Sequence, residues 1–489
     1  MGNVRHVRLA CLLVAIAPLC AWGALGWAAE PQLPAGLAPG EEEPRLPAGL
    51  EAPSSPPDAP ARPAEPELPP GLVAPPEEAR PVEEAGPVLP FEITGFWEVR
   101  GGARLRDDEH ERDASLGETR LQVQADKDVS GVELRVTADL LLDAVADRHA
   151  VDLETGDGFL DLREASLVFS PASMLDVKAG RQILTWGTGD LVFLNDLFPK
   201  DWNSFFLGRD EEYLKAPSDA AKVSAFTPWA NLDIVYTPRF DADRFIDGRR
   251  VSFFDLPGER IVGRDAALQV DRPDEWFVDD EWAARLYRNV ASYELTLYGY
   301  DGFWKSPAGR QPATGRATFP KLSVYGASVR GPLGRGIANA EVAYYDSGDD
   351  RGGGDPDVRN SELRLLLGYE QEIARDLTFG LQYYLERMLG HGAFLGTLPP
   401  GAPGRDENRH VLTQRLTWLT MDQNLLWSLS VFVSPSEVDA YLRPRVKYKV
   451  SDNLSVEAGG NVFVGRDDHT FFGQFEDNSN VYIGVRYGF

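Results

Sequence analysis

The last nine residues, 481–489, constrain the fold more than any other stretch of this chain. Apolar and aromatic side chains occupy every second position, and polar or small residues such as Arg486 stand between them. This alternation is typical of an antiparallel β-strand with one apolar face. The apolar face ends in Tyr487 and Phe489, the last residue. Such a strand fits either a membrane-spanning barrel or the core of a soluble sandwich.

The remainder of the chain from residue 91 repeats the pattern. Segments of roughly ten residues alternate in polarity, as in a transmembrane barrel. Short turns are predicted at residues 126–131, 171–174, 227–231, 289–292, 331–336, 374–376, 421–424 and 451–453. Long polar loops are predicted near residues 106–118, 144–160, 184–217, 240–280, 303–319, 347–360, 390–409 and 467–478. The pattern therefore predicts an all-β, antiparallel, up-and-down barrel of 18 strands, with 16 as the alternative count.

Aromatic residues on the predicted outer face are expected to form girdles at the membrane interfaces. In a soluble fold the same residues would be core residues. They are Trp97, Tyr369, Tyr383, Trp418, Trp427, Tyr448, Tyr487 and Phe489.

The N-terminus has the features of a secretory signal peptide. Arg5 and Arg8 precede an apolar run over residues 9–25, and small residues follow at Ala28 and Ala29. We expect residues 1–29 to be removed, and a retained transmembrane helix is the alternative. Both cysteines of the chain lie inside this segment, so the mature protein has no thiol for a disulfide or a haem attachment. No later apolar run reaches 18 residues, so any membrane crossing falls to strands.

Residues 30–90 have a composition that cannot form a core. They contain 18 of the 36 prolines and 12 acidic residues. We expect a disordered, Pro-rich, acidic tether in the periplasm. A Leu-Pro-x-Gly-Leu element recurs at residues 33–37, 46–50 and 68–72. It is either a duplicated spacer or a docking motif for a periplasmic or cell-wall partner.

The predicted inner faces of the strands carry charge. On strand 442–450 four basic residues share one face. Barrel closure would place them beside Arg486 and beside the basic residues of the first strands. This predicts a basic wall along a water-filled lumen. The alternative is a wall on which acids and bases alternate without selectivity. The predicted wall consists of Arg100, Arg104, Arg120, Arg135, Arg443, Arg445, Lys447, Lys449 and Arg486.

The loop at residues 184–217 is too apolar to extend into water. We expect it to fold inward and narrow the lumen, with the aspartates facing the basic wall. The predicted constriction residues are Trp186, Asp190, Phe193, Asp196, Phe198, Asp201 and Trp202.

The terminal strand, together with the pattern from Gly180-Arg181-Gln182 through Trp186-Gly187 to Asp196, Pro199 and Asp201, resembles Gram-negative outer-membrane β-barrel porins of the alginate-export and substrate-specific eighteen-strand group. The resemblance covers residues 91–489. It implies an infolded loop, passage of small anionic or carbohydrate-like solutes, and a terminal strand, with Tyr487 and Phe489, that the insertion machinery reads. The lumen is mixed in charge rather than a dense arginine channel, which argues against alginate itself as the cargo.

These features predict a passive porin for small hydrophilic, anionic or zwitterionic solutes, located in the bacterial outer membrane among lipid and lipopolysaccharide. The alternative is a non-conducting scaffold barrel that sheathes a partner such as an electron-transfer cytochrome. We expect no enzyme activity, since the histidines lie mostly in polar loops without a nucleophile elbow. We expect the protein to bind no cofactor and no metal ion. A net charge of −27 argues against nucleic acid as a partner.

Overall fold

The computed structural model describes residues 91–401 and 403–489, which form a closed antiparallel β-barrel of 18 strands. The prediction of 18 strands is confirmed. The predicted signal peptide and Pro-rich tether lie outside the described residues. Within the two described ranges, no helix is long and apolar enough to cross a membrane.

The strands of the described ranges are, in chain order, β1 (Glu92–Arg104), β2 (Ala114–Val129), β3 (Val132–Asp143), β4 (Leu160–Ala172), β5 (Leu175–Ile183), β6 (Pro217–Phe226), β7 (Asn231–Thr237), β8 (Phe253–Asp255), β9 (Arg260–Val262), β10 (Glu281–Val290), β11 (Tyr293–Phe303), β12 (Gly309–Arg310), β13 (Ala317–Thr318), β14 (Lys321–Leu333), β15 (Gly336–Ser347), β16 (Glu362–Ala374), β17 (Leu377–Met388), β18 (Asn408–Thr420), β19 (Leu425–Ser434), β20 (Asp439–Lys449), β21 (Leu454–Gly465) and β22 (Asn480–Gly488). The pairs β8–β9 and β12–β13 are short loop hairpins, and the other strands form the barrel. Two short helices lie in loops, α1 (Trp202–Leu207) and α2 (His391–Thr397).

The first and last strands close the barrel. Strand β1 pairs with β2 on one side and with β22 on the other. At this seam Glu98 lies opposite Arg486, and Trp97 lies opposite Tyr487. The amide nitrogen of Phe489 donates to the Gly95 carbonyl at 3.0 Å. The alternating C-terminal segment is therefore the strand that completes the sheet.

The two faces of the wall differ as the alternation predicts. On β22, Val481 and Ile483 expose 45% and 57% of their surface, whereas Tyr482 between them exposes 4%. Six of the predicted girdle aromatics are exposed, and two, Tyr369 and Tyr383, are half-buried. The outer surface of the barrel is consequently apolar, and the inner surface carries the charged side chains.

All eight predicted short turns connect neighbouring strands, and they define what we call the short-turn end of the barrel. Between β2 and β3, Ser130 and Gly131 have φ angles of 56° and 83°, which a two-residue hairpin turn requires. One predicted boundary is wrong. The loop expected at residues 106–118 ends earlier, because β2 begins at Ala114 and Leu116 pairs with Gly102.

The opposite, long-loop end is filled by apolar side chains of loops and inner strand faces. Phe463 stacks on Tyr441 with ring centroids 4.5 Å apart, and Phe206 from a loop meets Phe463 edge-on at 5.3 Å. Burial of aromatic rings dominates packing energetics in such clusters. The barrel is thus packed with protein at this end, and that packing positions the loops described next.

Candidate channel constriction

Residues 184–216, which connect β5 to β6, fold into the barrel. Leu194 and Phe206 expose only 1% and 3% of their surface. The middle of this infolded loop is α1, whose N-terminal cap is Asp201, accepting from the Ser204 amide at 2.7 Å. The helix ends at Gly208, with φ of 86°, where a Cβ atom would lie 2.2 Å from the Tyr482 ring. Only glycine fits a left-handed position against this wall.

Aromatic side chains hold the infolded loop against the inner wall. Phe205 meets Tyr441 of β20 with ring centroids 5.7 Å apart, in an edge-on arrangement. Nearer the start of the loop, Trp186 meets Phe198 edge-on at 4.9 Å. The loop residues that sequence reasoning selected for their apolar character, Trp186, Phe193, Phe198 and Trp202, all belong to or pack against this buried cluster.

A buried glutamate of the wall anchors the first part of the loop. Glu341 on β15 exposes 2% of its surface. Its carboxylate accepts hydrogen bonds from the Thr188 hydroxyl at 2.7 Å, the Gly189 amide at 2.9 Å and the Asn195 amide group at 2.7 Å, and also from the Thr188 amide. Charge-assisted bonds of this kind are stronger than neutral ones. Sequence reasoning did not select Glu341.

The structure places the nine predicted basic residues on five strands, β1, β2, β3, β20 and β22, which with β21 form one continuous part of the wall. Arg104 lies at the long-loop end, where it donates to the Arg250 carbonyl at 2.7 Å. Arg135 and Lys449 lie toward the short-turn end. The six others surround the infolded loop: Arg100, Arg120, Arg443, Arg445, Lys447 and Arg486.

Acids on the same wall pair with part of this set. Arg100 lies 3.1 Å from both Glu98 and Glu457. Arg486 reaches Glu98 at 2.8 Å. The wall therefore mixes both signs of charge.

Acids of the infolded loop pair with bases of strands β18, β20 and β22. Glu211 lies 3.2 Å from Arg443 and Arg415 and 3.9 Å from Arg445. Glu212 lies 2.7 Å from Arg486. Asp210 lies 3.5 Å from Lys447. These three consecutive acids, residues 210–212, were not selected from the sequence, although their position between two apolar stretches was visible there.

The pKa of Glu211 reflects this surrounding. Burial alone would raise the pKa of the carboxyl, but Arg415, Arg443 and Arg445 outweigh burial and lower it. Glu211 therefore stays ionised, and its charge faces the basic wall at neutral pH.

The predicted constriction aspartates have other partners than expected. Asp190 pairs with Arg415 of β18 at 2.7 Å, outside the predicted basic wall. Asp196 pairs with Lys200 at 3.0 Å, within the loop itself. Asp201 caps α1 and lies 3.6 Å from Arg244. The expectation that all three face the basic wall is wrong, because local capping and loop-internal pairing take up the carboxylates of Asp196 and Asp201.

A second segment, residues 238–253, also folds inward, where only a polar loop was predicted. Phe240 and Val251 expose 1% each. Arg244 holds Asp161 of β4 with two bonds of 2.7 and 2.8 Å, and its backbone pairs with that of Lys200. Residues 238–253, which we call the strap, therefore support the infolded loop from the long-loop end of the barrel.

Three carboxylates, one of which belongs to the strap, lie close together where no site was predicted. Oxygens of Glu154, Asp219 and Asp241 lie within 4.8 Å of one another. Burial, followed by the charge of Glu154, raises the pKa of Asp241 to about 7. Neighbouring arginines supply counter-charge, with Arg239 at 2.5 Å from Glu154 and Arg181 at 2.9 Å from Asp219.

No family model matches the chain, and no curated protein matches it. Among solved structures, it is similar to OccAB4 of Acinetobacter baumannii, with 10% identity, a TM-score of 0.49, and 82% of this chain and 98% of that chain covered. It is also similar to OccAB3 of the same species, with 12% identity, a TM-score of 0.47, and 81% and 99% covered. A third similar structure is OmpTdeltaL8, an outer membrane protein of Vibrio cholerae, with 12% identity, a TM-score of 0.38, and 82% and 100% covered. The alginate-export assignment stays a prediction.

Proposed function

We infer that this protein is an outer-membrane porin whose lumen is narrowed by the infolded loop, and that it passes small hydrophilic, anionic or zwitterionic solutes. The observation that carries the proposal is the juxtaposition at mid-barrel of the loop acids, residues 210–212, and the basic wall. The contacts of this juxtaposition, at 2.7 to 3.9 Å, join the loop to strands β18, β20 and β22.

The outer surface of the barrel supports the membrane location. Large apolar side chains such as Leu142, Leu297 and Ile483 expose 57% to 68% of their surface on the outward faces of strands. Contiguous exposed apolar surface of this kind marks an interface, and in a closed barrel it suits the hydrocarbon region of a bilayer. Closure also leaves no unpaired sheet edge, which lipid would not tolerate.

The charged constriction supports selective passage. Opposite charges on the loop and on the wall set up a field in the lumen beside them, and a dipolar solute aligned with that field is stabilised whereas a nonpolar solute is not. Four acids of the infolded loop face five bases on the strands, and these residues are Asp190, Asp210, Glu211 and Glu212 on the loop and Arg415, Arg443, Arg445, Lys447 and Arg486 on the strands. Because the loop acids neutralise much of the positive charge of the wall, we expect only a modest anion preference for simple salts, together with a preference for zwitterions over nonpolar solutes of equal size.

The reversal potential of the refolded protein in a planar bilayer under a potassium chloride gradient tests this proposal. We expect single channels with a chloride-selective reversal potential. Selectivity for potassium would contradict the inferred passage of anions. Complete absence of conductance from folded, inserted protein would contradict the porin itself.

The scaffold alternative would need an open lumen for a threading partner. Aromatic packing between the infolded loop and strands β19–β21 occupies that space. The porin is therefore the function that the geometry favours. Interactions with lipopolysaccharide, with the insertion machinery through Tyr487 and Phe489, and with a periplasmic partner of the tether remain predictions.

A further inference from the structure

A cavity of about 500 Å³ lies between the infolded loop and the wall at the long-loop end. Its inner side is formed by α1 and the residues before it, and its outer side by inward residues of β14–β19. The strap at residues 238–253, Leu268 and the loops that contain Trp304 and Phe472 complete the lining. The cavity opens to solvent, so a small molecule has a route into it, and its volume lies in the range typical of ligand pockets.

The lining is aromatic to a degree that a porin lumen does not need. Fourteen of the 32 lining residues are Phe, Trp or Tyr, although aromatic residues make up 10% of the chain. Water-filled lumens are polar. The cavity is therefore suited to an occupant with an aromatic body, although eight charged residues line it as well.

The arginines of the cavity are stacked against aromatic rings. The Arg364 guanidinium lies 3.8 Å from the Tyr345 ring centroid, and the Arg359 guanidinium lies 4.6 Å from that of Trp304. Trp304 and Tyr345 stack on each other at 5.6 Å. These contacts cover the faces of Trp304 and Tyr345 and fix one side of the cavity. Half-buried rings such as Phe193, Trp202 and Phe245 still present a face to the cavity, and a ring face favours a planar aromatic solute over a flexible chain.

The charges of these arginines are already balanced. Arg359 and Arg364 bind Glu362 at 2.7 and 2.6 Å, and Arg409 binds Glu437 at 2.7 Å. Balanced ion pairs offer little net attraction to a hydrophilic anion. Recognition in the cavity therefore falls to the ring faces.

We propose that this cavity binds a small aromatic molecule of two or three rings, held by stacking on the half-buried rings of Phe193, Trp202, Phe245 and Phe253. An engineered cavity of about 150 Å³ binds benzene, so 500 Å³ accommodates a larger ring system. The inference rests on the proposed function in that it names a class of solute that would reach the channel. Binding itself does not require conduction.

Calorimetric titration of the refolded mature chain in detergent tests the proposal, with protein-free micelles as the blank. The probes are 2-naphthoate, decanoate and gluconate, three monoanions that carry an aromatic, an aliphatic and a hydrophilic body. We expect 2-naphthoate to bind at least tenfold more tightly than the other two. Equal binding of 2-naphthoate and gluconate, or tighter binding of decanoate, would overturn the proposal.

Two variants and a matched control tie the signal to the cavity. Trp202→Leu removes a ring and keeps an apolar side chain, so the affinity should fall about tenfold. Val192→Trp fills the cavity and should abolish binding. Trp229→Leu, on a short turn where Trp229 is 78% exposed, should bind like the wild type. If both cavity variants, shown to be folded by heat-modifiable gel mobility, bind 2-naphthoate normally, the assignment is wrong.

The outcome separates this inference from the proposed function. Protein that conducts in a bilayer but does not bind 2-naphthoate overturns the cavity assignment and leaves the porin in place. Protein that binds 2-naphthoate but does not conduct overturns the porin and leaves the cavity assignment.

Discussion

Substitution of Glu341 by Ala should release the first part of the infolded loop without removing any loop residue. The Glu341 carboxylate accepts four hydrogen bonds from Thr188, Gly189 and Asn195 inside the barrel. Alanine offers these buried donors no acceptor. The loop would then lose its polar attachment to β15 while its aromatic attachment to β20 remained.

The magnitude follows from the number and type of these bonds. A hydrogen bond to a charged group contributes about 1.5–3 kcal/mol. The four bonds share one carboxylate and are not additive, so we expect a loss of about 3–5 kcal/mol in loop docking, similar to the cost of breaking a buried charged pair. Each 1.4 kcal/mol is a factor of ten, so the undocked population would rise by roughly two to four orders of magnitude.

Single-channel recording measures this population directly. The wild type should show a steady low conductance, and Glu341→Ala should show frequent transitions to a higher level. Glu341→Gln keeps one acceptor oxygen and should lie between them. Glu133→Ala, which removes a wall glutamate paired with Arg135 at 2.7 Å, is the matched control and should behave like the wild type. A folded Glu341→Ala protein with wild-type conductance and no added transitions would refute the reasoning.

Three further predictions concern charge, pH and assembly. Glu211→Gln uncovers the positive charge of Arg443 and should raise the chloride-to-potassium permeability ratio, obtained from the reversal potential, several-fold. Arg443→Gln should lower this ratio. An unchanged ratio in either variant would contradict a charged constriction. The pKa of Asp241 is raised to about 7, so the folded state holds this proton more tightly than the unfolded chain, and its stabilisation is present at acidic pH and lost as pH rises through 7. Heat-modifiable gel mobility should accordingly show a lower unfolding temperature at pH 8 than at pH 5, and Asp241→Asn should reduce this difference. A wild-type unfolding temperature that is the same at both pH values would disprove the prediction. Deletion of Phe489, whose backbone pairs with Gly95, should lower the yield of folded barrel in refolding into lipid vesicles, and an unchanged yield would argue against its role in closing the sheet.

The wall of the barrel was predictable because alternation is a local property. Each strand of about ten residues shows its two faces directly in the sequence, as residues 481–489 do, and short turns such as residues 171–174 separate the strands. Strand ends were less predictable. Strand β2 continues back to Ala114 because pairing with β1 extends past polar residues that looked like loop.

The interior was predictable only in part. The apolar character of residues 184–217 indicated that the loop is buried, but its partners on distant strands depend on how the barrel closes. Glu341 lies 153 positions from Thr188, and no local pattern links them. Asp201 was expected to face the basic wall, yet the capping of α1 takes its carboxylate. The strap at residues 238–253 was missed because its buried residues, such as Phe240 and Val251, are interspersed with charged ones.

The most direct test of the central claim is the single-channel conductance of the wild type compared with a variant that lacks residues 188–206. This deletion removes the loop segment that Glu341 anchors and most of α1. A loop-constricted porin predicts a small conductance in the wild type and a several-fold larger one in the variant. Equal conductance in two folded proteins, or none in either, would contradict a lumen narrowed by this loop.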